Sequence, residues 1–146
     1  MKYSIIDPRL NDFDFKPTRE GDAGIDLRAA IKSPITVAKG MVQLINTGVK
    51  VAIPEHWVGL ILPRSGLGVK KGLTLANTIG CIDSNYRGEL VVPIITNRIP
   101  PFEIAPMDRI AQLVIVPHYE YSKLEQVDEL DATLRGSEGF GSSGIQ

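Results

Sequence analysis

Pro63-Arg64-Ser65-Gly66-Leu67-Gly68 interrupts an apolar run with a permanent cation, a hydroxyl donor and two glycines. With no Cβ at Gly66 or Gly68, backbone N–H groups can approach a bound oxyanion closely. Any short helix that follows would add favourable partial charge. The P-loop pattern is not met, because no Gly-Lys-Ser/Thr follows. A tight turn with Arg64 in solvent explains the same residues equally well. A second stretch, Gly80-Cys81-Ile82-Asp83-Ser84-Asn85-Tyr86-Arg87-Gly88-Glu89-Leu90, reads as strand, tight connection, strand, with Ser84-Asn85 as the turn. This puts Asp83 at the neck of a hairpin and Tyr86 just past its turn. Taken locally, Asp83 caps the turn, and Cys81, with no histidine nearby in sequence, is a small core residue.

Residues 135–144 hold four glycines in ten and follow an acidic stretch at 125–131. Such a segment does not pack as a regular element on its own chain. Residues 139–144 formally match G-x-G-x-x-G, but only two residues follow, so no helix can complete a dinucleotide site. What remains is Arg135 for charge, bare backbone donors and Phe140 as one large flat ring. That set suits a ligand with phosphates at one end and a base at the other; a disordered tail is the plainer alternative. His56 and His118 read as loop or surface residues.

The elements that must carry these groups are short strands. Fourteen glycines and ten prolines punctuate runs rich in Val, Ile, Leu and Thr at 41–51, 57–62, 90–96 and 109–116. In 109–116 the two polar residues are three apart, so simple alternation fails and both faces are expected to be covered, as at a subunit contact. Only 67–75 and 127–134 could hold a helical turn or two. The pattern predicts an all-β sandwich, jelly roll or distorted barrel. At 146 residues the chain fits one domain.

Sixteen Lys and Arg against seventeen Asp and Glu leave a net charge of -1, which argues against stable nucleic-acid binding or membrane-surface binding. No apolar run reaches the roughly 18 residues that a membrane span needs. The start, Met1-Lys2-Tyr3-Ser4, leads into polar sequence rather than a signal peptide. Cys81 is the only cysteine, so no internal disulfide forms and a reducing, cytoplasmic compartment is expected. One Cys and two distant His offer no zinc-ligand spacing.

Five segments, in order, resemble the motifs of trimeric deoxyuridine triphosphatases (dUTPases): Asp22-Ala23-Gly24-Ile25-Asp26-Leu27-Arg28-Ala29, residues 63–68, residues 80–90, Arg109-Ile110-Ala111-Gln112-Leu113 and residues 135–144. Asn77 and the run to Gly80 are similar to the bacterial form. The resemblance spans nearly the whole chain. It implies a jelly-roll-like or β-barrel domain over 1–134, assembled as a homotrimer, with 135–146 as a flexible arm closing over a neighbouring site. The implied reaction is dUTP plus water to dUMP plus pyrophosphate, with Mg2+ bound mainly by the triphosphate and no direct metal ligand assigned in the chain. This keeps uracil out of DNA and supplies dUMP for thymidylate synthesis.

By the same resemblance Asp83 orients and deprotonates the attacking water. A carboxylate is a weak base at neutral pH, so it works chiefly by placing that water in line with the α-phosphorus. Arg64, Ser65, Gly66, Gln112 and Arg135 hold phosphates, and Asp26 supports the site. Main-chain groups around Cys81, Ile82, Asp83 and Val91 read the uracil edge, with Asn77 assisting. Tyr86 lies under the deoxyribose and excludes a 2′-hydroxyl, while Phe140, beside Gly141, stacks on the base. Many relatives carry Asp at the position of Asn85 and a small residue at that of Glu138.

Two rivals remain. A deoxycytidine triphosphate deaminase of the same fold would need a catalytic Glu five residues beyond Gly88, where this chain has Pro93. A non-catalytic nucleotide-responsive module would keep the binding residues without needing Asp83. A purely structural β-sandwich would need neither Arg64-Ser65-Gly66 nor the glycine-rich end.

Overall fold

The computed structural model describes residues 1–12 and 15–137. Ten strands dominate it: β1 (Lys2–Ile5), β2 (Ile25–Arg28), β3 (Ile35–Val37), β4 (Gln43–Ala52), β5 (Trp57–Pro63), β6 (Leu73–Leu75), β7 (Gly80–Ile82), β8 (Glu89–Thr96), β9 (Phe102–Ile104) and β10 (Arg109–Pro117). A single short α-helix among the described residues, α1 (Ser65–Lys71), joins β5 to β6. The four strand runs expected from composition all form. Residues 67–75 divide between α1 and β6, whereas 127–134 form no helix. No helix of the described residues is long and apolar enough to cross a membrane.

Two four-stranded antiparallel sheets, β1-β4-β8-β6 and β2-β10-β5-β7, face each other, with β3-β9 as a separate ribbon. This is the all-β, jelly-roll arrangement that the sequence predicts. Along β8 the inward positions Leu90, Val92, Ile94 and Thr96 are buried, and the alternate residues face out. They meet Ile45 from β4 and Leu27, Ile61 and Leu113 from the opposite sheet in one continuous core. Burying a side chain of this size contributes about 1.5–3 kcal/mol, so the two-sheet packing dominates stability.

Gly48 breaks the β4 register between Asn46 and Lys50 and adopts φ 70°. A Cβ there would lie 2.7 Å from both Asp7 Cβ and Leu10 Cδ1. Glu89 secures this irregularity by accepting hydrogen bonds from Gly48 N and Asn46 Nδ2, each at 2.7 Å.

The 80–90 segment departs from expectation. β7 and β8 do not pair with each other: β7 pairs with β5, whereas β8 pairs with β4 and β6. The turn itself forms, with Tyr86 N donating to Asp83 O at 3.1 Å, but its two arms belong to opposite sheets. β6 takes up only 94–96 of β8, plus one bond from Ala76 N to Pro93 O. The first half of β8 therefore has no strand partner on that side among the described residues.

Candidate active site

β2, β5, α1 and β10 converge on a cleft of about 680 Å³. Four residues singled out as anion-binding, Arg64, Ser65, Gly66 and Gln112, line it together with Asp26. β5 ends at Pro63, paired with Ala111, and α1 begins two residues later, so Arg64 to Gly66 form the corner between strand and helix. Ser65 and Gly66 are exposed there, and a Cβ on Gly66 would meet nothing within 4 Å. Its backbone is thus open to approach from the cleft.

Asp26 organises the cations. Its Oδ1 accepts from Arg64 Nε at 2.9 Å, and its Oδ2 lies 3.3 Å from Arg109 Nη1. Arg64 Nη1 also donates to the Arg109 carbonyl at 3.3 Å. The carboxylate between two guanidinium groups fixes their directions while leaving other N–H groups for a ligand. Arg28 lies behind them and donates to Met107 O at 2.9 Å. Burial, reinforced by the positive charge of Arg109, lowers its pKa.

Gln112 pairs with Asp26 across β2 and β10, and its Nε2 donates to Pro63 O at 3.0 Å. Gly24 makes room for this carboxamide, since a Cβ there would sit 2.5 Å from Gln112 Oε1. Thr18, Arg19, Lys70, Lys71 and Arg109 also line the cleft without having been assigned a role from sequence. The one available signal was local: Lys70 and Lys71 lie one helical turn beyond Ser65-Gly66.

The second group sits elsewhere. Asp83, Tyr86, Asn77 and Cys81 are all exposed, around the crossing from β7 to β8 and the turn before β7, and none lines the cleft. Cys81 is not a core residue: it pairs with Leu60 on the outward face of β5. Ile82 is half-buried at the free edge of the sheet, and Val91 faces outward on β8. The unpaired edges of β7 and the first half of β8 offer main-chain donors and acceptors of the kind that a planar base requires. Tyr86 is held beside them, its hydroxyl donating to Glu89 O at 2.9 Å and its ring lying over Gly88. A Cβ on Gly88 would sit 2.5 Å from Tyr86 Cζ.

The two groups are far apart. Ile82 pairs with Gly59, so Asp83 leaves the sheet one step beyond that pair, while Arg64 lies five residues from Gly59 in the other direction. At about 3.3 Å per residue, the six steps span roughly 20 Å. One face of the sheet between them is apolar and only half covered: Val58, Leu60 and Leu62 of β5 beside Val114 and Val116 of β10. Arg135 is exposed, and Phe140 and Gly141 lie outside the described residues.

The dUTPase family model matches residues 13–144. The deoxyuridine 5'-triphosphate nucleotidohydrolase of Alcanivorax borkumensis is 44% identical over 149 residues, covering 100% of this chain and 99% of that protein. Among solved structures, a Staphylococcus bacteriophage 80alpha dUTPase variant with dUpNHpp matches with a TM-score of 0.86 at 28% identity, covering 99% of this chain and 98% of the other. A phage phi11 dUTPase variant, described for its coordination of a structural Mg(II) ion, matches with a TM-score of 0.76 at 28% identity, over 88% and 96% of the two chains.

Proposed function

This chain belongs to the dUTPase family and hydrolyses dUTP to dUMP and pyrophosphate, and we propose that each site is built from more than one copy of it. Asp83 of one copy would face the cleft of Arg64, Ser65, Gly66 and Gln112 of the next. The supporting observation is the roughly 20 Å between Asp83 and Arg64 along β5. A group that aims water at a phosphate must lie within hydrogen-bond reach of that water. One chain does not bring its own Asp83 to its own phosphate cleft.

A homotrimer satisfies this need, because cyclic symmetry gives three equivalent pairings. The apolar face of Val58, Leu60, Leu62, Val114 and Val116 is the contact it would bury. Residues 1–134 are the β domain and 135–146 the arm, with Arg135 adding charge at the phosphates and Phe140 stacking on the base, Gly141 beside it. Exposed Cys81 as a free thiol suits a reducing, cytoplasmic setting.

Within such a site the chemistry is phosphoryl transfer. The Asp83 carboxylate accepts a hydrogen bond from water, aims its oxygen at the α-phosphorus and takes its proton as the P–O bond forms. The bond from the α-phosphorus to the bridging oxygen breaks, and pyrophosphate leaves. Arg64 and the exposed amides at Ser65 and Gly66 stabilise charge on the phosphate oxygens. The Gln112 carboxamide, oriented by Pro63 and Gly24, offers a further N–H.

The donor set suits a divalent cation delivered by the substrate. Among the described residues no three His, Cys, Asp or Glu side chains cluster to hold a metal, and both oxygens of Asp26 already face arginines. Mg2+ would thus be held mainly by the triphosphate, with Asp26 the nearest supporting carboxylate, and would supply neutralisation of phosphate charge. Main-chain groups of Cys81, Ile82, Asp83 and Val91, with Asn77, would read uracil, and Tyr86 would exclude a ribose.

Deamination of dCTP is disfavoured by Pro93, which occupies a β8 position paired with Leu44 and has no proton to exchange. A nucleotide panel with Mg2+ tests the whole reading: pyrophosphate appears from dUTP far faster than from dTTP, dCTP or UTP. Equal rates would remove the base and sugar assignments.

A further inference from the structure

The corner that carries Arg64, Ser65 and Gly66 is thinly anchored. α1 spans seven residues, and none of them is buried. Leu67 alone packs partly against the core. Isolated helices this short are not stable, so tertiary contacts must hold α1. At its far end the chain turns through Gly72 in the left-handed region, φ 68°, with Gly72 N donating to Gly68 O at 3.0 Å.

Arg98, just past β8, supplies the missing anchor. Its Nη2 donates to Val69 O at 2.9 Å and its Nη1 to Lys70 O at 3.1 Å, two carbonyls of the last helical turn. Its stem lies flat on Gly72, where a Cβ would come within 2.5 Å of Arg98 Cγ. The adjoining Thr96 is buried and ties the same corner from below: its Oγ1 donates to Gly72 O at 3.1 Å and accepts from Arg98 N at 3.2 Å. A planar fork bridging two adjacent carbonyls fixes orientation in a way that a single ammonium does not. The end of β8 thereby sets the rotation and axial position of a helix whose opposite end opens into the phosphate cleft.

We infer that Arg98 is a positioning residue for triphosphate binding, acting through α1 on Ser65 and Gly66 without touching substrate. The inference rests on the reading of Arg64, Ser65 and Gly66 as the phosphate site. Arg98→Met keeps much of the stem and removes the donors; Arg98→Lys keeps charge and one donor group but not the fork. Steady-state kinetics on the intact assembly with Mg2+ separate a positioning role from a structural one. The readouts are KM and kcat for dUTP, and the inhibition constant of deoxyuridine, which carries no phosphate.

Arg98→Met is expected to raise KM for dUTP about ten-fold while the deoxyuridine constant stays within about two-fold, with Arg98→Lys between the two enzymes. An unchanged KM, or equal losses for dUTP and deoxyuridine, overturns the inference. Ser65→Ala in parallel separates the two failures. If it raises KM for dUTP and Arg98→Met does not, Arg98 alone is misassigned. If Ser65→Ala leaves KM unchanged, the phosphate reading falls and takes the Arg98 role with it. Should Arg98→Met melt below the assay temperature, Arg98→Lys carries the same comparison.

Discussion

Asp83 and Arg64 leave the same sheet at opposite ends of β5, roughly 20 Å apart. The proposed general base and the proposed phosphate cation are thus separated within each chain, and the strand between them presents an apolar outer face. Association that buries this face is the simplest way to bring one chain's Asp83 to another chain's cleft. Catalysis and assembly then depend on the same strand.

Replacing Asp83 by Asn should lower kcat by orders of magnitude while nucleotide affinity changes little. The amide keeps the size and can still touch water, but it cannot take the proton. Single-turnover assays alongside equilibrium titration with dUTP check this. Near-normal turnover would remove Asp83 from its role.

Sugar discrimination should depend on Gly88, because the Tyr86 ring occupies the space its Cβ would need. Gly88→Ala forces that ring away from the Glu89 carbonyl it bonds. The ratio of kcat/KM for dUTP over UTP is expected to fall by about ten-fold or more. A ratio that holds in a folded variant would show that the ring pose is irrelevant to selectivity.

Much of this architecture is legible in sequence, and the misses share a cause. The runs around β4, β5, β8 and β10 are visible because apolar patterning is local. Partner choice is not local: Ser84-Asn85 specifies a reversal, but whether its arms pair depends on β5 and β4 competing for them. The same blindness put Cys81 in the core, since an apolar run does not say which face of the strand looks outward; register with Leu60 decides that. Residues 127–134 carry apolar side chains at helical spacing, yet Leu130 and Leu134 find no surface to pack on, and no helix forms. Asp26 was readable as a supporting acid, but its two arginine partners come from β10 and from the corner after β5.

Acid should weaken the fold partly through Asp7. The hydrogen bonds it accepts from Arg9 hold its carboxyl below the usual carboxylate range. Because the folded value is depressed, the ionised carboxylate favours folding above the unfolded pKa, about 3.9, and the contribution disappears as pH falls through the folded value. Asp7→Asn should therefore lower Tm at pH 7, with a narrower gap to the parent chain at pH 3. An equal gap at both pH values would show that ionisation of Asp7 contributes nothing.

Removing 135–146 should leave a folded assembly of unchanged size that turns over dUTP slowly, since Arg135 and Phe140 are assigned to the substrate rather than to the core. Size-exclusion chromatography with a turnover assay checks both halves. A monomeric or unfolded product would make the segment structural.

Mixing two inactive variants addresses the shared site most directly. Asp83→Asn and Arg64→Ala chains, each inactive alone, are unfolded together in equal amounts and refolded. If a site takes Asp83 and Arg64 from different copies, each mixed ring holds one intact pairing; three-quarters of randomly assembled trimers are mixed, so about a quarter of the unmodified activity returns. If both residues serve a site within one chain, the mixture stays as inactive as its components, and the account fails.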